Sequence, residues 1–212
     1  MIVRDLGQAD YLPTWHAMRR FTEGRGAATQ DELWLVEHEP VYTLGQAARR
    51  EHLLAATDIP VVQTDRGGQI TYHGPGQVVA YPMIDLRRLG IYVKELVFRV
   101  EQSVIQALEA LGVDARRVRG APGVYVPWPA AASTGEFAGL AKIAALGIKV
   151  THGRSYHGVA LNVAMDLAPF ARINPCGYAG LAAVDLAALG IDVTPADAAA
   201  RLGERLVAHF AA

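Results

Sequence analysis

Cys176 is the only cysteine in this chain, so its sulfur has no internal disulfide partner and is either a small buried hydrophobe or a reagent. Its setting, Ile173-Asn174-Pro175-Cys176-Gly177-Tyr178, favours a reagent. Pro175 fixes the backbone on one side and Gly177 clears space on the other, as at a tight turn. Only three of the 20 basic residues are lysines, and Lys142 stands in an apolar run, Gly139-Leu140-Ala141-Lys142-Ile143-Ala144-Ala145-Leu146-Gly147. Such a lysine ordinarily snorkels from a strand or helix. Beside a thiol whose free pKa is about 8.5, however, an ammonium favours the thiolate, which is the nucleophilic form. The chemistry open to such a pair is covalent catalysis by a thiolate, with a proton carrier at hand and backbone N–H donors for any oxyanion that develops. His73 and His157, each followed by glycine, are rival partners for the thiol. On residue type alone a histidine base ranks slightly ahead of Lys142.

The densest run of unusual residues is Asp65-Arg66-Gly67-Gly68-Gln69-Ile70-Thr71-Tyr72-His73-Gly74-Pro75-Gly76-Gln77. Glycines admit a ligand close to the backbone, and the interleaved Arg, Gln, Thr, Tyr and His all form hydrogen bonds. So many glycines predict a ligand loop with no regular element. It is neither a nucleotide-hydrolase phosphate loop, since no Gly-Lys-Ser/Thr follows, nor a dinucleotide turn, since the Gly-x-Gly-x-x-Gly spacing is missing. No pair among the seven histidines has metal-ligand spacing, so no metal is expected.

Composition narrows the remaining classes. The chain is 51% hydrophobic and 19% charged with a formal net charge of −1, enough for a core and too neutral for nucleic-acid binding by a strong basic field. No apolar run approaches the roughly 20 residues of a membrane span. The start, Met1-Ile2-Val3-Arg4-Asp5, lacks the features of a secretory leader. A cytoplasmic protein with a single domain over residues 1–212 is expected.

These groups need strands and helices to position them. Residues 33–37, 41–44, 59–64 and 77–84 read as strands, as do 123–126, 143–150 and 159–163. Residues 93–111 read as a helix with Val93, Leu96, Val97, Val100, Val104, Leu108 and Leu111 on one stripe, closed by Gly112. Thr194 is the expected N-cap of a last helix with Pro195 at its first position, and residues 127–135 read as a surface loop. The expectation is an α+β (mixed α/β) fold, a single mixed sheet flanked by helices.

Four motifs in register resemble one family. Arg66-Gly67-Gly68-Gln69-Ile70-Thr71-Tyr72-His73-Gly74-Pro75-Gly76-Gln77, the Ala141-Lys142-Ile143-Ala144 stretch ending in Gly147, His157-Gly158-Val159-Ala160-Leu161-Asn162-Val163, and Ile173-Asn174-Pro175-Cys176-Gly177 are similar to the lipoyl(octanoyl) transferases, lipoate-protein ligase B. The likeness covers roughly residues 41–178. It implies a biotin/lipoate protein ligase catalytic-domain-like fold, with a mixed sheet and helices around an acyl tunnel. It implies transfer of an octanoyl or lipoyl group from acyl carrier protein to a lysine of lipoyl domains, those of 2-oxoacid dehydrogenase acyltransferase subunits and of the glycine-cleavage H protein.

The resemblance also implies roles. Cys176 becomes the acyl-thioester nucleophile and Lys142 the group that lowers its pKa. Arg66, Gly67, Gly68, Gln69, Ile70, Thr71, Tyr72 and His73, with Ala145, Leu146 and Gly147 and with Gly158, Val159 and Ala160, become substrate contacts. The histidines then shape the site, and small Ala144, Ala145, Val159 and Ala160 suit the wall of an acyl channel. No cofactor, metal, membrane or nucleic acid is implied, and a monomer is expected. Residues 127–139 form a longer connection than is usual ahead of the lysine motif. Arg66, Arg116, Arg117, Arg119 and Arg154 are candidates for docking an acidic carrier. An ATP-dependent lipoate or biotin ligase with an incidental cysteine, and a non-catalytic binder of lipoyl or carrier proteins, are the alternatives.

Overall fold

Apolar runs that alternate between two faces build the centre of the molecule. The computed structural model describes residues 1–55, 57–131, 133–174, 178 and 180–211, with only the backbone of Arg50. Its strands are β1 (Ile2–Ala9), β2 (Glu32–His38), β3 (Val41–Leu44), β4 (Val61–Gln63), β5 (Ile70–His73), β6 (Gln77–Met83), β7 (Arg116–Val118), β8 (Ala121–Pro127), β9 (Leu140–Thr151) and β10 (Arg154–Asn162). Its helices are α1 (Tyr11–Gly24), α2 (Leu86–Leu89), α3 (Val93–Glu109) and α4 (Pro195–Phe210). The larger sheet has seven strands in the order β1-β2-β6-β10-β9-β8-β7. Strands β1 and β2 are parallel and the other neighbours antiparallel.

Alternation sends Leu33 and Leu35 of β2, Val78 and Ala80 of β6, and Val159 and Leu161 of β10 under helices α3 and α4. The helices meet them with Leu96, Val100, Val104 and Leu108 and with Leu202, Leu206 and Phe210. Each such side chain contributes about 2 kcal/mol on burial. Trp34, Val36, Val79, Tyr81 and Ala160 face the opposite way, against Met18, Trp15 and Phe21 of α1. With both faces covered, every residue of β6 is buried. That is why this segment reads as a continuous apolar run and not as an alternating one.

Three expectations need correction. The sheet is not single: β3 leaves β2 through Glu39-Pro40 and joins β4 and β5 in a separate three-stranded sheet, parallel to β4 and antiparallel to β5. The glycine-rich run does hold a regular element. Its glycines cluster at the ends, and the β-prone Ile-Thr-Tyr-His between them forms β5. Strand β1 and helix α1 have no counterpart in the sequence reading. Strand β1 is an edge strand, mostly exposed, whose register shifts between Asp5 and Gln8, so it carries little period-two pattern. The buried stripe of α1 is Tyr11, Thr14, Met18 and Thr22, half of it threonine, which hides the helical periodicity.

The expected helices fit closely. In α3 Leu96, Val100, Val104 and Leu108 are buried, Val97 and, just past the helix end, Leu111 are half-buried, and Val93 is 48% exposed at the first turn, while Gly112 turns the chain away at φ +76°. Helix α4 opens as expected, with the Thr194 hydroxyl accepting from the Asp197 amide at 3.1 Å and Pro195 in the first turn.

Candidate active site

The floor of the site is a row of small side chains running across the larger sheet. Ala160 of β10 lies opposite Val79 of β6 and Ala145 of β9, and Ala145 lies opposite Gly123 of β8. Gly158 and Gly147 pair one step further along. The depression they leave becomes a cavity of about 480 Å3, solvent at its mouth included, closed over by Arg66, Gly68, Gln69, Ile70, Thr71 and His73. A Cβ on Gly147 would stand 2.9 Å from the Gly67 carbonyl, so the glycine loop lies too close to β9 for any larger residue.

The three expected contact segments therefore converge, with two exceptions. Tyr72 is not in the lining. Along β5, Thr71 and His73 face the cavity, while the Tyr72 ring turns to the small sheet and packs on Tyr42 and Phe170 at centroid distances of 5.5 and 5.6 Å. Gly67 lines an adjoining groove of about 720 Å3 with Val93, Val97, Pro122 and Tyr178. The two spaces meet at Gly68, Gln69, Leu146 and Gly147. At that junction the Gln69 side-chain oxygen is buried with no hydrogen-bond partner among the described residues.

Arg66 builds the loop and does not project from it. Its guanidinium is buried, donating to the Thr43 carbonyl at 2.6 Å, to the Thr43 hydroxyl at 2.9 Å and to the Gly67 carbonyl at 2.9 Å. Backbone bonds complete the brace, from Gln46 to Arg66 at 2.9 Å and from Gly67 to Ile148 at 3.0 Å.

A directional network begins at the same arginine. The Thr43 hydroxyl already accepts from Arg66, so its own proton points to His73 Nε2, 3.3 Å away. His73 Nδ1–H donates to Gln77 Oε1 at 2.7 Å, and Gln77 Nε2 donates to Asn162 Oδ1 at 2.9 Å. This arrangement wants a neutral His73. Burial and the neighbouring His38 push its pKa down to about 3. His38 is likewise neutral, with Nδ1–H donating to the Ala9 carbonyl at 2.8 Å and Nε2 accepting from the Tyr81 hydroxyl at 2.7 Å. Burial pushes it down to about 4.

On the other wall, Asp65 accepts from Trp15 Nε1 at 3.0 Å, from His157 Nε2 at 2.9 Å and from the Tyr156 hydroxyl. Burial alone would raise its pKa, but the His157 and Tyr156 bonds outweigh it and hold the carboxyl well below the usual range. Burial lowers His157 despite this partner. His157 has φ +58°, a strained conformation for a histidine and one found beside ligand sites. Tyr11, His38 and Tyr81 have no counterpart among the expected site residues, and Asp65, the first residue of the expected ligand loop, has none among the expected contacts. The available signals were His38 directly before Glu39-Pro40, and a tyrosine, Tyr81, on the face of β6 that carries Val79.

An irregularity in β9 puts Lys142 on the same face as Ala145, beside the cavity but outside its lining. Val124 pairs with Ala144, but Tyr125 pairs with Lys142, so one residue of β9 is extra. Ile143 and Ala144 both enter the main core, and Lys142 turns to the other face. Its ammonium donates to the Pro122 carbonyl at 3.0 Å and stands 5.1 Å from the Tyr125 ring centre, almost fully buried. Gly123 makes room: its φ is +132°, and a Cβ there would lie 2.7 Å from Lys142 Cε.

Cys176, with Pro175 and Gly177, lies outside the described residues. On one side of it the Asn174 amide donates to His52 at 2.9 Å. On the other, the chain returns to Lys142 itself, whose amide donates to Ala182 at 2.8 Å and whose carbonyl accepts from Val184 at 3.0 Å.

With this geometry in place, the chain's relatives can be compared. The family model described as the lipoyl protein ligase A/B catalytic domain matches residues 10–207. An octanoyltransferase of Methylibium petroleiphilum is 59% identical over 217 residues, 98% of this chain and 97% of that protein. One from Bordetella petrii is 60% identical over 201 residues, 94% of this chain and 92% of that protein. A bi-partite lipoate protein ligase from Thermoplasma acidophilum superposes with a TM-score of 0.71 at 16% identity, covering 99% of this chain and 84% of that one. Biotin protein ligase from Aquifex aeolicus gives 0.58 at 11% identity, covering 99% and 70%. At such identities these structures speak to the fold alone, and the fold is the one the resemblance implied.

Proposed function

The chain belongs to the lipoyl protein ligase A/B catalytic-domain family, and we propose that it acts as an octanoyltransferase working through a thioester on Cys176. The observation that carries this reading is the convergence of Gly68–Thr71 and His73, Ala145–Gly147 and Gly158–Ala160 on one cavity, floored by small residues and adjoining the Lys142 face of the sheet. The apolar part of that lining, Ile70, Val79, Ala145, Val159 and Ala160, takes the acyl chain. The neighbouring groove, between Pro122 and Tyr178, takes the arm that delivers it. The unpartnered oxygen of Gln69 at the junction suits an N–H of that arm or of the incoming amine.

In the first step the Cys176 thiolate attacks the octanoyl thioester carbonyl. The tetrahedral adduct collapses to a Cys176 thioester, and the departing carrier thiolate takes a proton from the Lys142 ammonium. In the second, a lysine amine of a lipoyl domain attacks the Cys176 thioester. The amide forms, Cys176 leaves as thiolate, and the proton shed by nitrogen returns to Lys142. Support for pairing the two residues comes from the clasp of Ala182 and Val184 on Lys142, which draws the segment downstream of Cys176 onto the lysine. His73 and His157 are each occupied by other partners, so they serve as site-shaping residues.

The donor is acyl carrier protein. The acceptors are lipoyl domains of 2-oxoacid dehydrogenase acyltransferase subunits and the glycine-cleavage H protein. The chain works as one catalytic domain over residues 1–212, a cytoplasmic monomer without a cofactor. Of the docking candidates, Arg66 is buried, Arg117 is bound to Glu101 and Arg154 to Asp85. Arg119, exposed beside Gly120 at the rim of the groove, and Arg116, exposed and only loosely paired with Asp114 at 3.7 Å, remain the docking pair.

The test is intact mass spectrometry after mixing the protein with octanoyl-acyl carrier protein, without ATP, beside Cys176→Ser. One octanoyl group should appear on the wild type alone and leave on addition of a lipoyl domain. Modification that requires ATP and free octanoate would instead assign ligase chemistry.

A further inference from the structure

Glu101 is a buried carboxylate on the apolar stripe of α3, between Val97 and Val104, and nothing in the transfer steps uses it. Its Oε1 accepts from the Gly123 amide at 2.8 Å and its Oε2 from Arg117 Nε at 3.0 Å. Gly123 follows Pro122, whose carbonyl receives the Lys142 ammonium, and its missing Cβ is what leaves room for that ammonium. The three consecutive residues Ala121, Pro122 and Gly123 are thus each pinned by a different group. Ala121 accepts from the Tyr125 hydroxyl at 3.1 Å, Pro122 accepts from Lys142, and Gly123 donates to Glu101. Charged and titratable groups around the carboxylate are Arg117 on β7, Lys142 on β9 and Tyr125 on β8; both cations favour its ionised form against the burial that raises its pKa.

We propose that Glu101 is a positioning residue for Lys142, holding the Pro122-Gly123 carbonyl platform under the ammonium and supplying the negative charge that balances it. The inference rests on the transferase reading, in which Lys142 is the proton carrier. A plain staple between α3 and β8 would use the same bonds, but it would not alter the chemistry of Cys176.

Two variants separate these roles. Glu101→Gln keeps an acceptor for the Gly123 amide and removes the charge. The double variant Glu101→Leu with Arg117→Met removes the buried carboxylate and its half-buried partner together, so no unpaired guanidinium burdens folding. The readout is the rate of octanoyl loading onto the protein from octanoyl-acyl carrier protein, across pH and donor concentration, beside thermal melts. With the carboxylate charge gone, the thiolate forms more readily, so the acid limb of the Glu101→Gln profile should move to lower pH. The double variant should load about tenfold more slowly at saturating donor, with half-saturation unchanged, as expected for a displaced proton carrier. Variants that melt cooperatively and load at the wild-type rate with the wild-type pH profile would overturn the inference and leave Glu101 a staple. A wild type that takes up no octanoyl group would overturn the transferase reading, and this inference with it.

Discussion

Acidification should loosen this protein well before its carboxylates titrate. His38 and His73 are buried as neutral rings, each with its unprotonated nitrogen facing a hydroxyl donor, Tyr81 and Thr43 respectively. Their pKa values fall from 6.5 to about 4 and about 3 on folding. A base whose pKa drops on folding binds fewer protons in the native state than in the unfolded chain. Its contribution is therefore complete above pH 6.5 and is lost as pH falls, until the native group itself protonates near 4 or 3. Each histidine costs about 1.4 kcal/mol per pH unit in that window, so the two together remove roughly 3 to 4 kcal/mol between pH 6.5 and 5. For a chain of this size that is a fall in melting temperature of about 10 °C. Asp65 does not share the window: its depressed pKa keeps its contribution intact until pH drops below the ordinary carboxylate range near 4. Thermal melts at pH 7.5, 6.5, 5.5 and 5 measure the slope. Replacing both histidines by glutamine should flatten most of it, leaving the smaller share of His157, which burial also lowers. A wild type whose melting temperature moves less than about 2 °C over this range would refute the neutral-network reasoning, as would an unaltered slope in the double variant.

Gly123→Ala places a methyl 2.7 Å from both Lys142 Cε and the Ala144 carbonyl at φ +132°, so octanoyl loading should fall about a hundredfold, followed by time-resolved mass spectrometry. Ala160→Leu fills the floor opposite Val79 and Ala145, and a donor series from butanoyl to decanoyl should show optimal loading displaced to shorter chains. Thr194→Ala removes the N-cap of α4, and urea denaturation should register a loss of about 1 kcal/mol with activity retained. Replacing Arg116 and Arg119 by alanine should raise the half-saturation for carrier protein, more at low salt than at high, while loading at saturation stays as in the wild type.

Much of this arrangement is legible in the residues, for reasons specific to each. Lys142 is conspicuous because lysines are few in this chain and this one stands in an apolar run, and residues 66–71 because glycines there mark a close backbone approach. The α3 stripe and the Thr194 cap follow from local rules that tertiary context did not override. What escaped depends on pairing across the chain. Tyr72 and His73 are adjacent in sequence and alike in polarity, and only the register of β5 against β3 decides which of them meets the cavity. His38 and Tyr81 become partners across 43 residues through the antiparallel pairing of β2 with β6. Glu101 carried a signal of its own, a carboxylate on an otherwise apolar helical stripe. Its partner, the Gly123 amide, belongs to a strand whose identity is visible but whose neighbour is not.

The extra residue in β9 has a consequence for how this enzyme can change over time. Strand parity is binary, yet the adjacent core residues Ile143 and Ala144 together occupy one step of the alternation, so deleting either would restore regular pairing and leave Lys142 and Ala145 on the faces they hold now. What fixes the facing of the lysine is its pairing with Tyr125, and a one-residue slip of that register would carry the ammonium into the hydrophobic layer beneath α3. Lineages descending from such a sequence can therefore change strand length at the bulge, while the register of Lys142 on Tyr125 must be kept.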